Sequence, residues 1–266
     1  MSLSRQNLSI VIVTYKSEAV VHNCIKSIEN DIEIIVIENS NNQKFKETLE
    51  KKYPNVSCEL SLSNLGMGAG NNVGIKKVKN DFILILNPDV ILEKSTISEL
   101  IVASANITSF AILAPISSDD NYPNYKTLNS KTKLANPKKP QKVKSVDGFA
   151  MLFNKKKLDQ IFLNEYFDEN FFMYLENDDL CKRVLDADEN IYIIPNSKIK
   201  HLGGKAVDIK YKDEVELSRN WHWIWSKFYY NEKHFGYLNA MLRGFPKFIS
   251  SLVKYLFYLV IGKKFK

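Results

Sequence analysis

Through the first half of the chain, short apolar runs alternate with longer stretches in which apolar positions recur every three or four residues. Leu8-Ser-Ile-Val-Ile-Val13, Ile34-Ile-Val-Ile37, Val56–Leu62 and Phe82-Ile-Leu-Ile-Leu86 are β-rich runs, most of them apolar on both faces. That is the pattern of strands covered on both sides in a parallel sheet. Between them the spacing predicts helices. Ala19, Val20, Cys24, Ile25 and Ile28 share one face, a second helix ends near Tyr53, and others cover Met67–Val78 and Ile97–Ile107. Strands and helices in this rhythm mean βαβ units and a doubly wound, mostly parallel, Rossmann-like α/β sheet. Phe110–Pro115 is again apolar, and at Ser117 the rhythm breaks. From there to Ser145 the chain is rich in Asn, Pro and Lys, which predicts a long surface loop with room for a short ribbon. Val146–Phe153 resumes apolar character. Phe171–Leu185 predicts a helix with an acidic first turn, Ile191–Ile194 a strand, and Val215–Tyr230 an aromatic helix.

At 266 residues and 45% hydrophobic, the chain has the material for a core, and wholesale disorder is excluded. The net charge of +7 is local: Lys126–Lys144 holds seven lysines and no acid, and residues 231–266 hold seven Lys or Arg against Glu232 alone. The rest is mildly acidic, so a nucleic-acid partner is not expected. The organisation this predicts is a globular domain over residues 1–230 and a basic, amphipathic helical tail over residues 231–266. Cys24, Cys58 and Cys181 have neither the number nor the spacing of a disulfide framework or zinc site, which points to a reducing cytoplasm. The polar Met1–Asn7 leads directly into the first strand, so no signal peptide is expected.

Ligands of open α/β sheets bind beyond the carboxyl ends of the strands. Here those ends are Thr14-Tyr15, Glu38-Asn39-Ser40, Ser63-Asn64 and Asn87-Pro88-Asp89, all polar, and together they predict a ligand crevice. Asn64–Gly74 holds four of the ten glycines; either it is a flexible turn or its backbone and following helix approach a phosphate ester. It lacks dinucleotide-fingerprint spacing, with Asn71 at the third glycine place, and no Gly-Lys-Ser/Thr of a Walker loop follows. Asp89 reads as a turn aspartate or as a ligand for a divalent cation bridging a diphosphate. His201, in His201-Leu-Gly-Gly204, is a packed side chain or a second ligand. Glu176 and Asp179 either complement a helix dipole or supply a general base, with Phe171-Phe172-Met-Tyr174 able to desolvate it.

Taken in order, Ser9–Tyr15, Val36–Ser40, Asn64-Leu-Gly through Gly74, Leu86–Val90, Asp168 through Arg183 and His201–Gly204 resemble a family 2, GT-A-type glycosyltransferase, nearest its bacterial rhamnosyltransferase-like branch. The resemblance covers residues 8–230. It implies an inverting transfer of a sugar, rhamnose in the nearest branch, from a nucleoside-diphosphate donor (dTDP or UDP) to a hydroxyl of a glycan or lipid-linked acceptor in surface polysaccharide synthesis. It also implies Thr14, Tyr15 and Glu38 at the nucleoside, Asn64, Gly66 and Asn72 near the diphosphate, and Asn87 with Asp89 in place of the Asp-x-Asp motif. Asp89 and His201 would hold Mg²⁺ or Mn²⁺. Asn177 stands where the family has an acid, and because an amide cannot accept the proton the base becomes Glu176, with Asp179 in reserve.

Phe248–Ile261 is the most apolar window, flanked by Arg243, Lys247, Lys263, Lys264 and Lys266 and interrupted by Lys254. It is too short to span a bilayer. It reads as an interfacial helix over residues 244–266 on the inner face of the cell membrane, or as a helix packed on the domain or on a second copy in a homodimer. A non-catalytic nucleotide-sugar-binding scaffold on the same fold is the competing functional reading, favoured by Asn87 and Asn177. An NAD-dependent enzyme is disfavoured by the glycine spacing.

Overall fold

The computed structural model describes residues 2–119, 123–129, 134–162, 165–203, 207 and 212–260. Gly204 of the histidine motif, Ile261, and the terminal lysines Lys263, Lys264 and Lys266 lie outside the described residues. Strands β1 (Leu8–Thr14), β2 (Glu33–Glu38), β3 (Val56–Leu60) and β4 (Phe82–Leu86) pair in parallel in the order β3-β2-β1-β4. Helices α1 (Glu18–Lys26), α2 (Gln43–Lys52) and α3 (Gly66–Lys77) make the crossovers. β1 alternates as a strand must: Leu8, Ile10 and Ile12 enter one core, Val11 and Val13 the other. The first core is closed by Val21, Cys24 and Ile25 of α1, Phe45 and Leu49 of α2, and Leu100 of α4 (Thr96–Asn106). The second is closed by Ile75 of α3 and Leu180, Cys181 and Val184 of α6 (Glu176–Asp186). The molecule is thus an α/β/α sandwich around one mixed sheet.

Beyond β4 the sheet continues as β9 (Ala150–Asn154), β6 (Ile112–Ser117), β10 (Ile191–His201), β8 (Gln141–Val146) and β7 (Tyr125–Thr127), with short β5 (Val90–Leu92) also on β10. β9 is antiparallel to both β4 and β6, a reversal that apolar periodicity does not encode. The polar stretch from Ser117 to Ser145 does carry a ribbon, β7 on β8, and is pinned by buried Asn124, whose Nδ2 donates to Pro115 O at 2.9 Å.

Three local differences from the sequence reading have physical causes. Phe171–Leu175 is not helical: Tyr174 and Leu175 both take left-handed backbone (φ 71° and 65°), and α6 starts only at Glu176. α5 (Lys155–Phe162) carries little apolar signal because Leu158 is its one buried residue. The aromatic helix is longer than its pattern: α7 runs from Lys212 through residue 230 to Phe235, turns at Gly236 (φ 85°) and is followed by α8 (Tyr237–Val260).

Candidate active site

The polar strand ends lie along one edge of the sheet, and those of β1, β2 and β3 are bonded to one another. Thr14 pairs with Glu38 across β1 and β2, and its hydroxyl donates to the Glu38 carboxylate. Ser40 N donates to the other Glu38 oxygen at 2.7 Å. Burial pushes the Glu38 carboxyl above its ordinary range, and these two hydrogen bonds pull back against it. Tyr15, half-buried, lies under the Lys16 ammonium, 5.2 Å from its ring centre. Asn39, in the same polar strand end, is buried; it donates to Gly66 O at 3.1 Å and accepts from Ser61 Oγ at 2.7 Å. Thr14, Tyr15, Glu38 and Asn39 therefore form a pre-organised rim next to Asn64 and Gly66.

The glycine-rich element packs tightly within the protein. Gly66 N bonds Asn64 Oδ1 at 3.1 Å and Met67 N bonds Phe172 O at 3.0 Å, so the first two amide donors of α3 are taken within the protein. A Cβ on Gly66 would sit 2.2 Å from Phe172 O, and one on Gly74 2.4 Å from a Val11 methyl. The glycines let α3 approach β1 and the segment before α6 closely. Asn72 is likewise turned to structure: its amide donates to Phe167 O at 2.8 Å and Glu169 Oε1 at 3.0 Å and accepts from Phe167 N at 3.0 Å.

At the end of β4, Asp89 and His201 come together. Asp89 is buried, its Oδ2 is 3.4 Å from His201 Nε2, and its Oδ1 has no hydrogen-bond partner. Asn87 Oδ1, also buried, is equally unpartnered. The antiparallel pairing of β5 with β10 sets His201 opposite Val90, and the imidazole stacks on Phe149 at 4.1 Å. Buried polar atoms are rarely left unsatisfied, so the orphaned Asp89 oxygen beside the His201 imidazole, with a further orphaned oxygen on Asn87 two residues before, is a donor set that fits a hard divalent cation. Among the described residues no cluster of three or more His, Cys, Asp or Glu side chains could hold a metal by themselves. Such an ion would have to complete its coordination from a diphosphate and water.

The turn between β8 and β9 adds Asp147, which sequence reasoning missed. Burial raises its carboxyl, as does nearby Asp178, while Lys126 and His201 lower it. Its only sequence signal is an acid in a Val-Asp-Gly turn between two apolar runs.

Glu176 opens α6 after the two left-handed residues, each a strained position for a side-chain-bearing residue. α7 holds that segment in place. His222 stacks on Phe172 at 4.2 Å, Ser226 Oγ donates to Met173 O at 2.7 Å, and Trp223 meets Tyr174 edge-on at 5.4 Å. Glu176 is buried, its Oε2 has no partner, and desolvation pushes its carboxyl up to about 7, against the hydrogen bond from its own amide. Asp179, one turn on, is the opposite case. Its oxygens are taken by Arg183 Nε at 2.8 Å, His234 Nε2 at 2.8 Å and Lys233 Nζ at 2.7 Å. It ties α6 to α7 and offers no free oxygen. Asn177 donates to Val146 O at 2.9 Å.

The mixed, mostly parallel sheet between two helical layers, with polar strand ends gathered at an acidic edge, is a GT-A glycosyltransferase fold by its likeness to solved glycosyltransferases. Solved structures share it. The fold aligns with a Pyrobaculum calidifontis mannosyltransferase in complex with GDP-Man and Mn²⁺ (TM-score 0.59, 9% identity, 83% of this chain and 63% of that one). It aligns also with GalNAc-T7 with UDP, GalNAc and Mn²⁺ (TM-score 0.58, 15% identity, 73% and 43%). Residues 9–162 match the glycosyl transferase family 2 model, and the chain belongs to that family. A curated relative, the low-salt glycan biosynthesis hexosyltransferase Agl10 of Haloferax volcanii, is 29% identical over 201 residues, 70% of this chain. The match spans 64% of that relative's length.

Proposed function

We propose that the protein is an inverting hexosyltransferase that moves a sugar from a dTDP- or UDP-linked donor to a hydroxyl of a glycan or lipid-linked acceptor in surface polysaccharide synthesis. Rhamnose is the sugar suggested by the branch its motifs resemble. The observation that carries the reading is the buried Glu176 carboxylate, with one unbonded oxygen and a proton affinity matched to neutral pH. In a single displacement the acceptor oxygen bonds to the anomeric carbon. The bond from that carbon to the diphosphate breaks with its electron pair leaving on the diphosphate, and the acceptor proton passes to Glu176. Thr14, Tyr15, Glu38 and Asn64 line the nucleoside end, and the Gly66 backbone lies beside them. Asp89, His201 and Asn87 would hold Mg²⁺ or Mn²⁺, whose bound charge offsets that of the departing diphosphate. Asp179 and Asn72 keep positioning roles. The catalytic domain over residues 1–230 works on the cytoplasmic side, with the tail over 231–266 in contact with the inner face of the membrane.

The test is thermal stability with dTDP, UDP, GDP and NAD, each with and without Mn²⁺, followed by transfer assays. Binding raises the melting temperature by mass action. A Mn²⁺-dependent shift with dTDP or UDP supports the reading, and a shift with NAD alone refutes it. The non-catalytic reading rests on Asn87 and on Asn177, whose amide is committed to Val146 O. It predicts donor binding without turnover.

A further inference from the structure

Ala240, in the first turn of α8, is buried, and Tyr237 packs edge-on against Phe228 at 6.1 Å. From Met241 to Val260 every described side chain is exposed. Leu238, Leu242, Phe245, Ile249, Leu252 and Leu256 recur at intervals of four and three, which places them on one face of the helix, and all six are exposed, Leu238 by 78% and Leu242 by 75%. Phe248 and Val253 widen that face on either side. The positions of Asn239, Arg243, Lys247, Ser250 and Lys254 recur at the same intervals on the opposite face. Its charged members are all basic, and no acid occurs after Glu232. On α7, Trp221, Ile224 and Trp225 form another exposed apolar strip.

A face of this size on a soluble surface marks a contact, and its shape and charge choose the occupant. A second copy of α8 would use a narrow seam with charges of both signs beside it. Here the flanks of the seam are themselves apolar, and two copies would bring like charges together. No helix among the described residues is long and apolar enough to cross a membrane. A broad apolar face backed by a purely basic stripe matches the boundary between acyl chains and anionic headgroups.

We propose that α8 docks on the surface of an anionic lipid bilayer. It lies in the plane of the headgroups, with the Leu238–Leu256 face in the acyl boundary and Arg243 and Lys254 at the lipid phosphates. This deepens the reading of the tail as a membrane contact, and it needs nothing from the transfer chemistry.

The experiment is co-sedimentation of the full chain with vesicles of phosphatidylcholine alone or mixed with phosphatidylglycerol, at low and high salt. The expected result is binding to the mixed vesicles that weakens with salt, with a blue shift of tryptophan emission if Trp221 and Trp225 enter the interface. Arg243→Ala with Lys254→Ala should weaken binding to the mixed vesicles about thirtyfold. Leu252→Glu with Leu256→Glu should abolish it. Lack of sedimentation with the mixed vesicles overturns the proposal, as does binding unchanged by the glutamates. A lipid-independent dimer in sedimentation velocity, dissociated by the same glutamates, assigns the face to a second copy and also overturns it. Nucleotide-induced thermal shift in each variant serves as the fold control. A chain that docks on vesicles but binds no nucleotide refutes the transfer reading and leaves the docking surface standing.

Discussion

Replacing Glu176 by Gln separates what burial of this carboxyl does to stability from what it does to catalysis. In the folded protein the group titrates at about 7, against 4.5 for an unperturbed glutamate. Between those values the folded chain keeps a proton that the unfolded chain has released, so unfolding releases it and stability falls as pH rises. The contribution is complete below the unfolded value and is lost as pH climbs to the folded one. At 1.36 kcal/mol per pKa unit the loss comes to about 3 kcal/mol. Glutamine is nearly isosteric and never ionises. The Glu176→Gln variant should therefore match the wild type near pH 4.5 and exceed its unfolding free energy by about 3 kcal/mol at pH 8. Transfer should change in the opposite sense. If Glu176 is the base, the wild-type kcat/KM should rise with pH through about 7 as it ionises, and the variant should lose about 10²- to 10⁴-fold, the usual contribution of a general base. Urea unfolding and initial rates from about pH 5 to about pH 9 read both effects. A stability difference between the two proteins that is constant with pH would refute the burial argument. A variant that retains transfer would refute the assignment of the base.

Asp89→Ala should eliminate the Mn²⁺-dependent part of the nucleotide thermal shift. The unliganded protein should gain about 1 kcal/mol, because a buried oxygen without a partner is removed; urea unfolding without nucleotide checks this, and a loss of several kcal/mol would show Asp89 to be structural. Gly66→Ala places a Cβ against Phe172 O at a left-handed position and should cost about 3 kcal/mol in urea unfolding. A cost below about 1 kcal/mol would mean that the contact relaxes freely. Asp179→Ala should destabilise by about 3 kcal/mol, since Arg183, Lys233 and His234 lose their shared anion. The pH midpoint of transfer should stay where Glu176 puts it; loss of that midpoint would move the base to Asp179.

The parallel half of the sheet was legible because strand periodicity and strand-end polarity coincide: Val13 is in the core, and Thr14, the next residue, bonds Glu38. Direction and partnership were not. Val146–Phe153 shows its apolar character equally whether β9 runs parallel or antiparallel. The aromatics Phe171, Phe172 and Tyr174 imitate helical spacing, yet their positions are set by α7, through His222, Trp223 and Tyr229. Glycines announce a close approach without naming what approaches. Here the Phe172 carbonyl and a valine of β1 are what approach Gly66 and Gly74. Glu176 was legible as an acid in a first turn, but its unpartnered oxygen was not, because Asp179 presents the same signal three residues on. Tertiary contacts alone tell a carboxylate held by Arg183, Lys233 and His234 from one with an unpartnered oxygen.

The departure at Asn177 follows from the same contacts. Its Nδ2 donates to Val146 O, and Gly148 lies against its side chain, where a Cβ on the glycine would come within 3.2 Å. A carboxylate at this place would put an oxygen against the carbonyl of Val146, within a stretch that already carries Asp147 and Asp178, and repulsion would open the joint. The amide closes it. The joint links α6, which begins with Glu176, to the β8–β9 turn, which carries Asp147 and leads into Phe149. Phe149 in turn stacks on His201 and accepts from Asn87 N at 2.9 Å. An amide at 177 therefore need not signal lost chemistry. It connects the helix carrying Glu176 to the strand ends carrying Asn87 and His201, and leaves Glu176 as the acid of that turn with an oxygen free to take a proton.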